Sequence, residues 1–229
     1  MLALGPLLVP PAAVAQNPNA RPAAHSQAEA ERSTPRQAVL WSRERLAELD
    51  AAIGVLEQDA ARREADAREQ ARAALATLRA AREAYRTKAE EALAGARAWS
   101  EAQVADANRS LDESWTAAQD KVAAYLDAVQ ADLATRRAVL EAEVETRQRA
   151  WQRSIDELRA TASGLSAQQR AAFEARIEAF RVQVDDARAR AARVQEASWA
   201  AVRRSYEETQ RSLSDAYLSI RKAIEEASR

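Results

Sequence analysis

The chain has 229 residues, no cysteine, one histidine and nearly equal numbers of basic (34) and acidic (35) residues. Without an excess of positive charge it lacks the electrostatic attraction with which proteins bind nucleic acid. All six prolines precede Gln37, and only three of the four glycines follow it. A β-sheet protein of this size would need many more turn residues, so the composition predicts an all-α fold.

The N-terminal segment, residues 1–15, has the features of a signal peptide. Residues 2–9 are largely apolar, and Ala13-Val14-Ala15 has the small-x-small form of a signal-peptidase site. No basic residue precedes the apolar run, and an apolar tail is the alternative interpretation. The run is too short to span a membrane. Residues 16–33 are polar and aperiodic, which predicts a disordered linker. We therefore predict a periplasmic or secreted protein whose folded part comprises residues 34–229.

An eleven-residue apolar pattern dominates the middle of the chain. Two interleaved columns are apolar at every step: Leu111, Val122, Leu133, Val144 and Ile155, and Ala118, Val129, Leu140, Trp151 and Ala162. Eleven residues over three turns is about 3.67 residues per turn, so both columns lie on one face of an almost straight helix. This face must be buried against another helix.

Three helix starts and two glycines divide the folded part. Capping boxes are predicted at Thr34–Gln37, Ser100–Gln103 and Ser166–Gln169. Gly95 and Gly164 precede the second and third of these, and Gly164 is expected to take the left-handed conformation after a helix. The pattern predicts an elongated antiparallel three-helix bundle or coiled coil of long helices, each of about 60 residues. The predicted helices lie at 35–95, 100–162 and 167–228.

Gly95 allows a second interpretation, because the eleven-residue phase continues through it. A helix running over residues 35–162 would be about 190 Å long and would need a partner chain to cover its apolar face. We favour the three-helix bundle because unpaired apolar faces are costly.

A shift of 102 residues superposes two parts of the sequence. Residues 107–115 then lie over residues 209–217, and both segments contain Arg-Ser-Leu with an aromatic residue four positions later. Apolar positions match elsewhere too, which indicates either an internal duplication or merely two amphipathic helices in phase. One mismatch stands against duplication: the corner at Gly164 falls on Arg62, in the middle of a predicted helix.

The sequence offers no catalytic, cofactor-binding or metal-binding residues that we can name. The chain has no cysteine, and its one histidine, His25, lies in the predicted linker. This rules out a catalytic triad that needs histidine and a His/Cys metal cluster. Pairs of adjacent carboxylates, such as Glu90-Glu91 and Asp185-Asp186, are interpreted as surface charges beside arginine. We therefore predict no enzyme activity, no cofactor and no small-molecule substrate.

Five tryptophans are the most distinctive side chains. Trp115 and Trp151 fall on apolar faces and are predicted to lie in the core. The other three lie near predicted helix ends, where they either cap the bundle or enter a lipid interface: Trp41, Trp99 and Trp199.

Long proline-poor helices with eleven-residue apolar columns and spaced aromatic residues resemble the apolipoprotein A/E-like amphipathic-repeat proteins. They are also similar to uncharacterised bacterial coiled-coil proteins with this repeat style. The resemblance covers about residues 37–228 and concerns periodicity and composition. The regular proline punctuation of the apolipoproteins is missing, and no site residues carry over.

These observations lead to two functional hypotheses. The first is a non-enzymatic exported helical bundle that acts as a spacer, scaffold or protein-interaction module, whose partner is a second copy of itself or another helical protein. The second, implied by the resemblance, is an amphipathic protein that binds a lipid or envelope surface.

Overall fold

The computed structural model describes residue 39 and residues 41–96, 98–192 and 199–229. The predicted signal peptide (1–15), the predicted linker (16–33) and the capping box at Thr34–Gln37 lie outside these residues. In the described part the chain is all-α, as predicted, and contains no strand. Six helices follow one another: α1 (Ser42–Arg62), α2 (Ala65–Gly95), α3 (Glu101–Ala128), α4 (Leu133–Ala162), α5 (Ala167–Ala192) and α6 (Trp199–Ala227).

The prediction of three long, continuous helices is wrong, and the first break lies inside the predicted helix over residues 35–95. Arg63 and Glu64 have extended backbone conformations, with ψ angles of 154° and 168°. No glycine or proline marks this break. Instead the Arg68 guanidinium donates two hydrogen bonds to the Arg63 carbonyl, at 3.0 and 2.7 Å. A side chain of the next helix thus satisfies a backbone oxygen that a continuous helix would have bonded internally.

The second break divides the predicted helix over residues 100–162 and forms a complete Schellman motif. The Ala131 amide donates to the Leu126 carbonyl and the Gln130 amide to the Asp127 carbonyl, at 2.8 and 3.1 Å. Gln130 takes the left-handed position with a φ of 49°. Asp132 then caps α4 by accepting a 2.8 Å hydrogen bond from the Thr135 amide.

The predicted helix over residues 167–228 is also not continuous. The rings of Phe180 in α5 and Tyr217 in α6 are 6.4 Å apart. A straight helix would separate these two positions by about 55 Å. The chain therefore reverses direction between α5 and α6, within a stretch whose residues 193–198 lie outside the described part.

Both corners predicted from glycine are present. Helix α2 ends at Gly95, and Ser100 and Gln103 form the predicted capping box at the start of α3. Ser166 and Gln169 make the corresponding hydrogen bonds before α5. The expected left-handed conformation at Gly164 is wrong, since no described glycine has a positive φ. Ser163 instead stays right-handed, and its hydroxyl donates to the Ala160 carbonyl at 2.6 Å.

The six helices form two groups of three: a first group of α1, α2 and α3, and a second group of α4, α5 and α6. Helices α1 and α4 join the two groups. One buried cluster is built mainly from α1, α2 and α3, and a second from α4, α5 and α6. Sequential helices within a group are antiparallel, while α1 and α4 pack along each other across the groups. Asp59 lies 3.4 Å from Thr135, and at the other end Glu44 lies 3.8 Å from Arg153, so α1 and α4 are antiparallel.

The 102-residue shift relates the two groups. Helix α2 begins at Ala65 and α5 at Ala167, 102 residues later. Under this shift, the corner at Gly164 falls on Arg62, where α1 ends. The mismatch seen in the sequence is therefore absent from the structure. Equivalent positions are buried in both groups: Leu49 and Trp151, Ile53 and Ile155, Leu56 and Leu158, Leu75 and Ile177, Leu78 and Phe180, Leu111 and Leu213, Val122 and Ile224.

Most of the eleven-residue columns are buried, as predicted. The exceptions are Val144, which is half-buried, and Leu133, of which 56 % is exposed. Leu133 is the first residue of α4, and the break before it turns its side chain away from the core that Val129 still contacts.

The end of α2 can be tested at Gly95. A β-carbon at this position would clash with the indole ring of Trp99, which packs on the backbone. We expect Gly95→Ala to lower the free energy of unfolding by about 1–3 kcal/mol because the rigid ring must move. Gly54→Ala is the matched control: nothing lies within 4 Å of its added carbon, so the change should stabilise α1 by about 0.5–1 kcal/mol. Urea denaturation followed by circular dichroism measures both, and equal effects would contradict the packing of Trp99.

Candidate functional site

A group of buried and half-buried polar side chains lies where the two helix groups meet. This junction cluster consists of Glu48 from α1, Gln119 from α3, Glu143 and Arg147 from α4, and Arg203 and Tyr206 from α6. Burying charges is costly unless they are paired, and the cluster contains two ion pairs. Among the described residues, the buried charged side chains all lie in this cluster: Glu48, Glu143 and Arg147.

The first ion pair joins the two groups directly. Glu48 and Arg147 form a salt bridge between α1 and α4, and their side chains are only 1 % and 9 % exposed. Because both partners are shielded from water, removing either one would leave an uncompensated charge in the interior.

The second ion pair joins α4 to α6. Glu143 is fully buried and pairs with Arg203, and the Gln119 side chain of α3 faces the same carboxylate. Glu143 and Arg147 are one helical turn apart on α4, so one face of this helix holds both pairs. The two ion pairs thereby link α1, α4 and α6, and the Gln119 side chain of α3 lies beside them without a hydrogen bond.

Burial changes the proton affinities of these groups. It raises the pKa of Glu48 to about 7, although Arg147 opposes the shift, and Glu143 nearby adds to it. Burial likewise raises the pKa of Glu143 against the attraction of Arg203. Burial favours the neutral form of Arg147, but Glu48, Tyr206 and Glu44 together outweigh this effect and raise the pKa of Arg147. The pKa of Tyr206 lies well above its ordinary value because the ring is desolvated.

Several buried polar atoms in and around the cluster make no hydrogen bond. They include Oε1 of Glu143, Nε of Arg147 and the Tyr206 hydroxyl. Such atoms are uncommon in folded proteins, because each one costs desolvation energy. A cavity of about 10 Å³ borders Arg147 and Tyr206 between α4, α5 and α6, which is about the space of one water molecule.

An aromatic cluster lies next to the junction cluster and joins Trp41 to side chains of the second group. The Trp151 ring lies 5.5 Å from the rings of both Trp41 and Phe180, and Tyr217 lies 5.5 Å from Trp41. The Trp151 indole N–H donates a 2.8 Å hydrogen bond to Gln210. Residue Trp41, immediately before α1, is thus held by side chains of α4 and α6.

The tryptophan predictions are met in part. Trp151 is buried as predicted, whereas Trp115 is half-buried, with its ring 5.9 Å from Tyr85. Trp99 packs against the core of the first group. The side chain of Trp199 lies outside the described residues.

No residue of the junction cluster was predicted from the sequence, although a signal for it existed. Four-residue steps along α4 give Val139, Glu143, Arg147, Trp151 and Ile155, a column that is apolar except for two adjacent opposite charges. The corresponding column in α1 is Glu48, Ala52, Leu56 and Ala60. A charge within an otherwise apolar column indicates a buried ion pair.

The described residues contain no group of three His, Cys, Asp or Glu side chains placed to hold a metal ion. Within the same part of the chain, no helix has the length and apolarity needed to cross a membrane. The paired charges of the junction cluster can hold helices together, and Glu48 can exchange a proton near neutral pH.

Comparison with known proteins gives no relative: no family model, no curated protein and no solved structure matches the chain.

The pKa of Glu48 leads to a prediction about pH. The folded value of about 7 exceeds the ordinary 4.5, so between these values the folded chain binds more protons than the unfolded chain. The free energy of unfolding should therefore fall as the pH rises from about 5 to about 8, by up to about 3 kcal/mol. Glu48→Gln should flatten this dependence, while the exposed Glu91→Gln should not. Denaturant titrations at several pH values measure the pH dependence of the free energy of unfolding. A wild-type stability that rises over this range would contradict the burial of Glu48.

The Glu48–Arg147 pair also predicts strong energetic coupling. Arg147→Met leaves the buried Glu48 carboxylate without its partner and should cost about 3–5 kcal/mol at pH 8. The double variant Glu48→Gln/Arg147→Met removes both charges and should recover a large part of this loss. A double-mutant cycle of unfolding free energies gives the coupling. Additive effects of the two substitutions would show that the side chains do not interact.

Proposed function

We propose that the chain is a non-enzymatic, exported helical bundle that acts as a structural spacer, scaffold or protein-interaction module. One observation carries the proposal: the apolar faces of the helices cover one another within a single chain. Among the described residues, the exposed large hydrophobic side chains are Leu133 and Val182, at 56 % and 46 %. Such a molecule needs no lipid or obligate partner to shield its apolar surface.

The polar surface supports the same role. Arg86 pairs with Glu83 and Glu90 along α2, and Arg181 pairs with Glu178 and Asp185 along α5. Exposed pairs of this kind contribute little to stability, because water and salt screen their attraction. Their main effect is a surface of alternating charge that opposes aggregation and presents charged groups to a protein partner.

Export is the part of the proposal that rests on the sequence. The small-x-small motif Ala13-Val14-Ala15 after a short apolar run supports it, and the lack of cysteine is compatible with an oxidising compartment.

Lipid binding is the second candidate function, and it would use aromatic side chains that are largely buried in the folded chain. Trp41, Trp151 and Tyr217 lie together where the first and second groups meet, and tryptophan and tyrosine are favoured at membrane interfaces. Resemblance to the apolipoprotein A/E-like proteins adds the idea that helices separate and turn their apolar faces toward lipid. Here separation would have to break the junction cluster and open two cores.

Mixing the purified chain with vesicles distinguishes the two functions. We expect complete helicity and a cooperative melt in buffer alone, with no shift of tryptophan emission and no co-flotation with neutral or anionic vesicles. A blue shift accompanied by co-flotation would contradict the spacer proposal and support lipid binding.

A cross-linked variant is the matched control for this experiment. The chain has no cysteine, so Glu44→Cys/Arg153→Cys can be joined with a short bis-maleimide across α1 and α4. If lipid binding requires the helix groups to separate, the cross-link should abolish any binding seen with the unlinked variant. Binding that survives the cross-link would place the lipid contact on the outer surface of the closed bundle.

A further inference from the structure

We propose that α3 and α4 can join into one continuous helix, and that two copies of the chain in this open form exchange helix groups to make a domain-swapped dimer. The partner is a second copy of the chain. The break between Ala128 and Leu133 is the hinge, and the α1–α4 interface is the surface that is exchanged.

The hinge sequence is suited to a helix. No glycine or proline occurs between Gly95 and Gly164, so nothing in the hinge forbids helical backbone. Both eleven-residue columns keep their phase through it: Val129 and Leu133 are themselves column positions. In a helix over residues 101–162 the columns would form one unbroken apolar face about 90 Å long.

The closed hinge contains a strained residue. Gln130 has a φ of 49° and is the only non-glycine residue with a positive φ in the described part of the chain. The left-handed position of a Schellman motif is normally occupied by glycine, because a β-carbon there is unfavourable. Continuing α3 into α4 would relieve this strain.

The exposure of Leu133 also supports the joining of α3 and α4 into one helix. Leu133 is the large hydrophobic residue with the greatest exposure in the described part, at 56 %. In a continuous helix it would lie four residues after Val129 and seven before Leu140, both of which are buried. An apolar column position that is exposed in the closed form would thus join the apolar face in the open form.

Interactions around the hinge oppose opening. The Arg63 guanidinium donates a 2.8 Å hydrogen bond to the Val129 carbonyl, and Arg136 donates to the Ala131 carbonyl at 3.1 Å. Across the hinge, the Thr135 hydroxyl of α4 lies 3.4 Å from Asp59 of α1, which also binds Arg63. These contacts favour the closed form for an isolated chain.

A second copy of the chain can restore the α1–α4 contacts that are lost when the hinge opens. An open monomer would expose the packed faces of α1 and α4 and separate the buried charges of Glu48 and Arg147, which is too costly to persist. In a swapped dimer α1 of one copy packs on α4 of the other, so every contact of the α1–α4 interface forms twice. The dimer differs from two monomers mainly at the hinge.

Refolding at high and at low protein concentration, followed by size-exclusion chromatography with light scattering, tests the proposal. We expect a dimer that increases with concentration. Gln130→Gly should raise the dimer dissociation constant at least about tenfold, because glycine favours the left-handed turn and disfavours the continuous helix. Asp132→Ala should act in the opposite direction, since it removes the cap of α4 and leaves a better helix former.

Gln152→Gly is the matched control. Gln152 is exposed in the interior of α4, so the same substitution should weaken the helix in both forms and leave the monomer–dimer balance unchanged. A wild-type chain that stays monomeric after refolding at high concentration would overturn the proposal. So would a dimer that responds to Gln130→Gly no more than to Gln152→Gly.

Cross-linking shows whether α1 packs against α4 of the same chain or of the other copy. With Glu44→Cys/Arg153→Cys, a bis-maleimide should link α1 to α4 within one chain in the monomer fraction and between two chains in the dimer fraction. Denaturing electrophoresis would then show a covalent dimer from the dimer fraction alone. Intrachain links in both fractions would mean that the copies associate through their outer surfaces, which contradicts the exchange of helix groups.

Discussion

Helix α1 is covered on several sides, and this constraint determines the arrangement of the rest of the chain. It packs against α2 and α3 in its own group and against α4 of the second group. Leu49 and Leu56 are fully buried, and the polar Glu48 is 1 % exposed. A helix buried on several faces must either be apolar all round or pair its buried charges, and α1 does the latter through Arg147.

The same constraint explains why the chain turns back so often. A helix twice as long as α2 would expose its apolar face unless it had neighbours of equal length. Breaks at Arg63–Glu64 and Val129–Asp132 let shorter helices cover one another, and each break satisfies its backbone groups locally. The two groups repeat one plan at the 102-residue shift, with α1 and α4 as equivalent helices that pack against each other.

Much of this fold could be predicted from the sequence. Helical periodicity, the corners near Gly95 and Gly164 and most of the buried positions follow from local patterns. The breaks at Arg63 and Gln130 could not be predicted in this way, because neither contains glycine or proline and both depend on bonds from Arg68, Arg136 and other side chains. The junction cluster was missed because Glu143 and Arg147 look like an ordinary exposed pair unless their apolar column is noticed.

The packing of α1 depends on the chain folding back at Arg63, and a distance between α1 and α2 tests this most directly. Asp50 and Arg82 form an ion pair at 2.7 Å, and the chain has no cysteine to interfere with labelling. Spin labels at Asp50→Cys and Arg82→Cys should report a short distance between neighbouring helices. A distance of about 48 Å, which a straight helix would place between these two positions, would show that α1 and α2 are one rod and would contradict the fold described above.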